Sequence, residues 1–191
     1  GVASGDFIYY IPIYNGVSSH GLTARYDTTK SFTAAGSWEY VNLSTMNTGW
    51  RGFYGAAAND GSVFYVPYQI IGTGVHGNAL RYQTSLAFTD AGSWDFINLT
   101  SLDARLNGFK GGVAAGDAIY YVPGTNGVTF VGVTARYDAS PAPGASFTGS
   151  PTSGTVPLTV TFTDSSSGSP TSWNWSFGDG NVSAAQNPSH T

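Results

Sequence analysis

The chain has 191 residues, of which only 9% are charged against roughly 25% in an average globular protein, while Gly (26), Tyr (12) and Phe (11) are abundant. A formal charge of -4 without any Lys/Arg cluster provides no surface for neutralising phosphates and argues against nucleic acid as a partner. The absence of cysteine excludes disulfides and thiolate metal sites, and no apolar run approaches the roughly 20 residues needed to cross a bilayer.

The chain opens on Gly1-Val2-Ala3-Ser4-Gly5-Asp6 and an aromatic run ending at Pro12, and this opening returns twice. Arg25-Tyr26-Asp27, Arg81-Tyr82-Gln83 and Arg136-Tyr137-Asp138 are spaced by 56 and 55 residues, and Ile11-Pro12, Val66-Pro67 and Val122-Pro123 keep step with them. Gly36-Ser37-Trp38 and Gly92-Ser93-Trp94 do the same. A period of this size marks stacked supersecondary units, none able to bury its apolar face alone. The units run over 1–48, 49–105 and 106–139, the last one partial.

The middle unit predicts four strands, Gly52–Ala58, Ser62–Tyr68, Asn78–Gln83 and Ser93–Leu99, rich in Tyr, Phe, Val, Ile and Trp and separated by Gly, Asn, Asp and Thr. Between the first two, Asn59-Asp60-Gly61 matches Ser4-Gly5-Asp6 and Ala115-Gly116-Asp117, residues that tolerate the positive φ of a tight hairpin. No stretch keeps a helical period for three turns. The expected class is all-β, with propeller-like four-stranded blades and a partial immunoglobulin-like sandwich. The order of signals resembles the blade plan of kelch-like propellers, although Pro12, Pro67 and Pro123 stand where kelch repeats carry paired glycines.

By this register the chain enters inside a first strand, and a Ser-Trp strand is due after Asp138. Closed propellers use about four or more blades, so the expectation is a segment of a longer protein, one completed by other copies of itself, or units packed as an open array. A Pro/Ala/Ser stretch over 140–144 reads as a linker. Over 145–191, Val156-Pro157-Leu158-Thr159-Val160-Thr161-Phe162 and Ser172-Trp173-Asn174-Trp175-Ser176-Phe177-Gly178-Asp179-Gly180 closely resemble a polycystic-kidney-disease-type (PKD) domain. The resemblance implies a sandwich with Leu158, Val160, Phe162, Trp173, Trp175 and Phe177 inward. The family pattern has two further strands after Thr191, which again leads to the expectation of a longer natural chain.

Few residues suggest chemistry. His20 and His76 share a repeat position that Val131 fills in the third copy, and His190 lies in the PKD-like segment, so a metal site would need ligands from different blades. Asp90-Ala91-Gly92-Ser93-Trp94 resembles the Asp-box turn of sialidase-like propellers but is one residue short, and Ala34 replaces the Asp in the first copy. Asp27 and Asp138 are expected to cap the turn after the third strand. No nucleophile elbow, zinc signature, phosphate loop or dinucleotide fingerprint occurs, and no enzyme, cofactor or metal is expected.

Three of the seven basic residues are the repeated arginines. Arg25, Arg81 and Arg136 are expected to make one contact per blade, a salt bridge or an aromatic stack; otherwise, with Tyr26, Tyr82 and Tyr137, they form a repeated recognition surface. Asn42-Leu43-Ser44 and Asn98-Leu99-Thr100 are glycosylation sequons in register, joined by Asn174-Trp175-Ser176 and Asn181-Val182-Ser183. Propeller-like repeats followed by a PKD-type module resemble large extracellular surface proteins of archaea and some bacteria. That resemblance implies a non-enzymatic cell-surface role in adhesion, envelope structure or filament and sheath assembly. Its partners would be other copies, further domains of a longer chain, or glycans. The alternative is a carbohydrate-binding or accessory module of a secreted hydrolase, to which the Tyr/Trp wealth is suited.

Overall fold

The computed structural model describes residues 1–125, 128–129, 132–139, 144–168 and 170–191, so Val131 and all of the expected linker except Gly144 lie outside the described residues. The protein is all-β and divides into two compact units, Gly1–Ala139 and Ser140–Thr191.

In the first unit each repeat becomes an antiparallel meander. The first sheet takes β1 (Val2–Ser4), β2 (Phe7–Tyr10), β3 (Leu22–Asp27) and β4 (Trp38–Asn42) in chain order, followed by the short helix α1 (Leu43–Met46). The second repeat contains β5 (Phe53–Asn59), β6 (Ser62–Pro67), a small hairpin of β7 (Gln69–Ile70) and β8 (Gly74–Val75), then β9 (Asn78–Gln83) and β10 (Trp94–Asn98). Its main sheet again has sequential order, β5-β6-β9-β10. The third sheet holds β11 (Gly112–Ala115), β12 (Ala118–Tyr121) and β13 (Ala135–Asp138).

The four strands expected in the middle repeat are all present, with ends shifted by local chemistry. β5 starts at Phe53 because Gly52, at φ +74, turns the chain, and β10 starts at Trp94 because Ala91–Ser93 close a 3-10 turn. The β1–β2, β5–β6 and β11–β12 turns place Gly5, Asp60, Gly61 and Gly116 at φ of 55, 41, 67 and 56, as the Gly/Asp pattern requires. The β7–β8 hairpin was not expected from the sequence; it turns on Gly72 and Gly74, both at positive φ.

The strand period of two gives each sheet two distinct faces. Tyr9 of the first sheet packs with Val63, Tyr65, Leu80, Tyr82, Phe88 and Trp94 of the second. The opposite face of the second sheet packs Phe64, Val66 and Ala79 against Ile119, Tyr121 and Ala135 of the third. The middle sheet is thus covered on both sides, which is why β6 is buried from Val63 to Pro67 and reads as an unbroken apolar run.

In the second unit β14 (Phe147–Ser150), β15 (Val160–Asp164) and β18 (Ser189–His190) form one antiparallel sheet, and β16 (Trp175–Ser176) and β17 (Val182–Ser183) a hairpin. Leu158, Val160 and Phe162 alternate with exposed Thr159, Thr161 and Thr163, and Trp173, Trp175 and Phe177 alternate with exposed Asn174 and Ser176. The rings of Phe147, Phe162, Trp175 and Phe177 follow one another at centroid distances of 5.2 to 6.1 Å.

Candidate functional site

The repeated arginines sit at the junctions between sheets. In the first sheet, register places Arg25 between Tyr9 on β2 and Glu39 on β4, on the face turned toward the second sheet. There its guanidinium donates to the Tyr82 hydroxyl of the next repeat at 2.9 Å and to both carboxylate oxygens of Glu39 at 3.1 and 3.0 Å. It also lies 4.3 Å from the ring centroid of Phe7 and 5.0 Å from that of Phe88. Burial works against the charge, but Glu39 and Tyr82 outweigh it and hold the Arg25 pKa above its ordinary value. The Tyr82 hydroxyl in turn donates a hydrogen bond to the Leu86 carbonyl at 2.7 Å, and burial beside these groups pushes its pKa up to about 12.

The second junction uses the same parts more loosely. Arg81 pairs with Asp95, its cross-strand neighbour, and approaches the Tyr137 hydroxyl of the third repeat at 3.4 Å, a long bond with the arginine side chain 34% exposed. Arg136, the third copy, pairs with Asp138 at 3.5 Å and is 54% exposed. The recurring contact therefore runs from the Arg of one repeat to the Tyr of the next, beside a salt bridge to a cross-strand carboxylate, and the first junction adds an aromatic stack of Arg25 on Phe7 and Phe88. Glu39 and Asp95 escaped the sequence reading. The available signal was that each stands 14 residues beyond its arginine.

Backbone bonds repeat alongside. Phe53 N–H donates to the Pro12 carbonyl and Phe109 N–H to the Pro67 carbonyl, each at 3.0 Å, so the periodic prolines supply acceptors that tie a repeat to its successor. Gly52 and Gly108 donate to the carbonyls of His20 and His76. Both glycines have positive φ, and a Cβ there would strike the carbonyls of Gln69 and Thr125 respectively. His76 itself is tucked against the Gly52 carbonyl at 3.2 Å, its pKa lowered by burial. Among the described residues no group of three His, Asp or Glu side chains gathers as a metal site.

Asp27 caps its turn through the Thr29 N–H at 3.0 Å, with Lys30 and Thr29 holding its carboxyl at about 2. Asp90 caps the Ala91–Ser93 turn, and Trp94 beyond it is buried between sheets, its indole N–H bonded to the Phe88 carbonyl. Tyr26 donates to the Lys30 carbonyl at 2.7 Å. Asn42, Asn98, Asn174 and Asn181 are all exposed. Asn42 and Asn98 accept from Ser44 and Thr100 N–H through Oδ1, whereas Asn181 donates its Nδ2, the atom a glycan would take, to Asp179 at 2.7 Å.

The second unit carries a half-open cavity of about 560 Å³, lined by Phe147, Phe162, Trp173, Trp175, Phe177 and His190 among others. At its rim the Phe177-Gly178-Asp179-Gly180 segment forms the β16–β17 turn, with both glycines at positive φ and Asp179 accepting from Asn181 N–H. His190 stacks on Phe177 at 4.2 Å and pairs with Asp179 at 3.0 Å. Asp164 accepts from Ser166, the Trp173 indole N–H at 2.9 Å and Gln186.

Residues 138–191 match the family model of the PKD domain. No curated protein matches the chain. Among the described residues no helix is long and apolar enough to cross a membrane.

Proposed function

We propose that this chain is a non-enzymatic extracellular surface module, acting in adhesion, envelope structure or assembly into a filament or sheath. The sheets of the first unit are read as propeller-like blades on a kelch-like plan. The observation that carries the reading is the Arg-to-Tyr contact: the chain's most regular polar residues hold one sheet to the next. The PKD-domain match adds to it, since such domains are typically extracellular adhesion or structural modules. Exposed Asn42, Asn98 and Asn174 are offered as glycan acceptors, with Asn181 a poorer one because its amide is engaged by Asp179.

The test is to label intact source cells with a membrane-impermeant reagent and to shave them with protease. Labelling and release of the chain are expected; recovery solely from the cytosol would refute the proposal. The second reading, a carbohydrate-binding or accessory module of a secreted hydrolase, draws on the aromatic-lined cavity of the second unit. It predicts that oligosaccharides change the fluorescence of Trp173 and Trp175 on titration.

A further inference from the structure

Resting on the assembly reading above, we propose that the two outer faces of the first unit's sheet stack bind each other between copies of this chain, head to tail. Arg136 of one copy then reaches the Tyr26 hydroxyl of the next. The occupant is a second copy because the chain already contains this interface twice, from Arg25 to Tyr82 and from Arg81 to Tyr137.

The head is the outward face of the first sheet. Register puts Ile8, Tyr26 and Trp38 in one row across it, equivalent to the row Val63, Tyr82 and Trp94 that the second sheet buries against the first. Phe32 and Phe88 correspond likewise in the repeat. Phe88, Tyr82 and Trp94 are 0%, 0% and 5% exposed, whereas Phe32 is 60% exposed and Tyr10 and Tyr40 beside it are 41% and 69% exposed. The head nevertheless holds the geometry of the filled junction. Tyr26 and Trp38 lie 4.9 Å apart at 33°, and Tyr82 and Trp94 lie 4.9 Å apart at 36°. An aromatic platform already in its bound arrangement associates at a reduced ordering cost.

The tail is the outward face of the third sheet, where Val113, Tyr120 and Arg136 form a row. Their counterparts Ala57, Phe64 and Arg81 face the third sheet in the second junction, with Ala57 and Phe64 4% and 2% exposed. Val113 and Val122 are 53% and 45% exposed, and the Arg136 side chain 54%. Head against head would bring aromatic rows together with no guanidinium, and tail against tail would oppose two arginines. Only head against tail sets a cation over the rings of Phe32 and Tyr26, as Arg25 lies over Phe88 and Tyr82. Such a contact is heterologous and grows into a ring or a filament according to its rotation.

The test is sedimentation velocity of the full chain from about 1 μM to about 1 mM, with Phe32→Lys as a head variant and Arg136→Glu as a tail variant. Arg136 is more than half exposed, so the tail variant should melt like the parent, while Phe32→Lys gives up its ring contacts with Tyr26 and Trp38 and should keep the parent's circular dichroism with a somewhat lower melting point. The parent should self-associate with rising concentration, and each variant alone should be weakened by about tenfold or more. An equimolar mixture, which retains one intact head and one intact tail, should form a dimer and stop there. Self-association untouched by both variants, or a mixture no better than its components, overturns the junction while leaving assembly standing. A parent that stays monomeric throughout overturns both.

Discussion

Removing the hydroxyl of the repeated tyrosine should have sharply different effects at its three occurrences. In Tyr82→Phe the ring and its packing remain, but Arg25 loses the acceptor at 2.9 Å and the Leu86 carbonyl loses its donor. Arg25 Nε is already buried without a hydrogen-bond partner among the described residues, which leaves the guanidinium its bonds to Glu39 and the neighbouring Tyr9 hydroxyl. A hydrogen bond to a charged group contributes about 1.5–3 kcal/mol and a neutral one about 1 kcal/mol, so Tyr82→Phe should cost about 2–4 kcal/mol. In Tyr137→Phe the contact is a 3.4 Å bond to an arginine one-third exposed, where water can substitute; the cost should stay below about 1 kcal/mol. Tyr26→Phe loses only an exposed bond to Lys30 and should cost less than about 0.5 kcal/mol in the monomer. The assay is urea unfolding followed by tryptophan fluorescence, comparing midpoints at constant slope. Three equal losses, or a larger loss at Tyr137 than at Tyr82, would refute the junction energetics.

Further tests reach other parts of the molecule. Gly52→Ala and Gly108→Ala combine positive φ with a backbone collision and should each cost about 3 kcal/mol or more, whereas Gly16→Ala, at positive φ in open space, should cost about 1 kcal/mol; thermal melts of the three decide it. Tyr65→Phe breaks the 2.8 Å bond to Thr23 and should destabilise by about 1–2 kcal/mol in the same unfolding assay. Hydrogen bonds from Ser166, with Trp173 and Gln186 adding to them, hold the Asp164 carboxyl at about 2, below its ordinary 3.8. Its contribution to the second unit is therefore present above about pH 4 and lost as pH falls toward about 2, and Asp164→Asn should flatten that acid limb in a pH-dependent melt. Intact mass of the chain from its source should exceed the polypeptide mass by whole glycans that enzymatic deglycosylation removes, and Asn42→Gln with Asn98→Gln should reduce the excess.

Much of the fold was legible because strands declare themselves locally. The alternation in Leu158–Phe162, the apolar run of β6 and the Gly/Asp turns each carry their signal within a few residues, and all appear where expected. The β7–β8 hairpin did not, since its two-residue strands are too short to show a period and depend on Tyr68 and Gln69 bonding to the Gly52 carbonyl. The arginines were legible as repeated, but not as reaching forward. Their contacts join residues 57 and 56 apart, and one-dimensional periodicity marks equivalent positions without saying which copy an atom touches.

Equal sequence also does not mean equal burden. Tyr26 and Tyr82 occupy the same repeat position with the same aromatic neighbours, yet only Tyr82 receives an arginine from the preceding sheet. Arg25 and Arg136 likewise share a position, and only Arg25 is buried. A repeat motif specifies half of a junction, and the adjoining sheet supplies the other half. The polar cost of burying a guanidinium is offset only where that second half is present. That makes the Arg-Tyr pair a device for stacking: it contributes little in an isolated repeat and much between two, so stability is concentrated at the junctions.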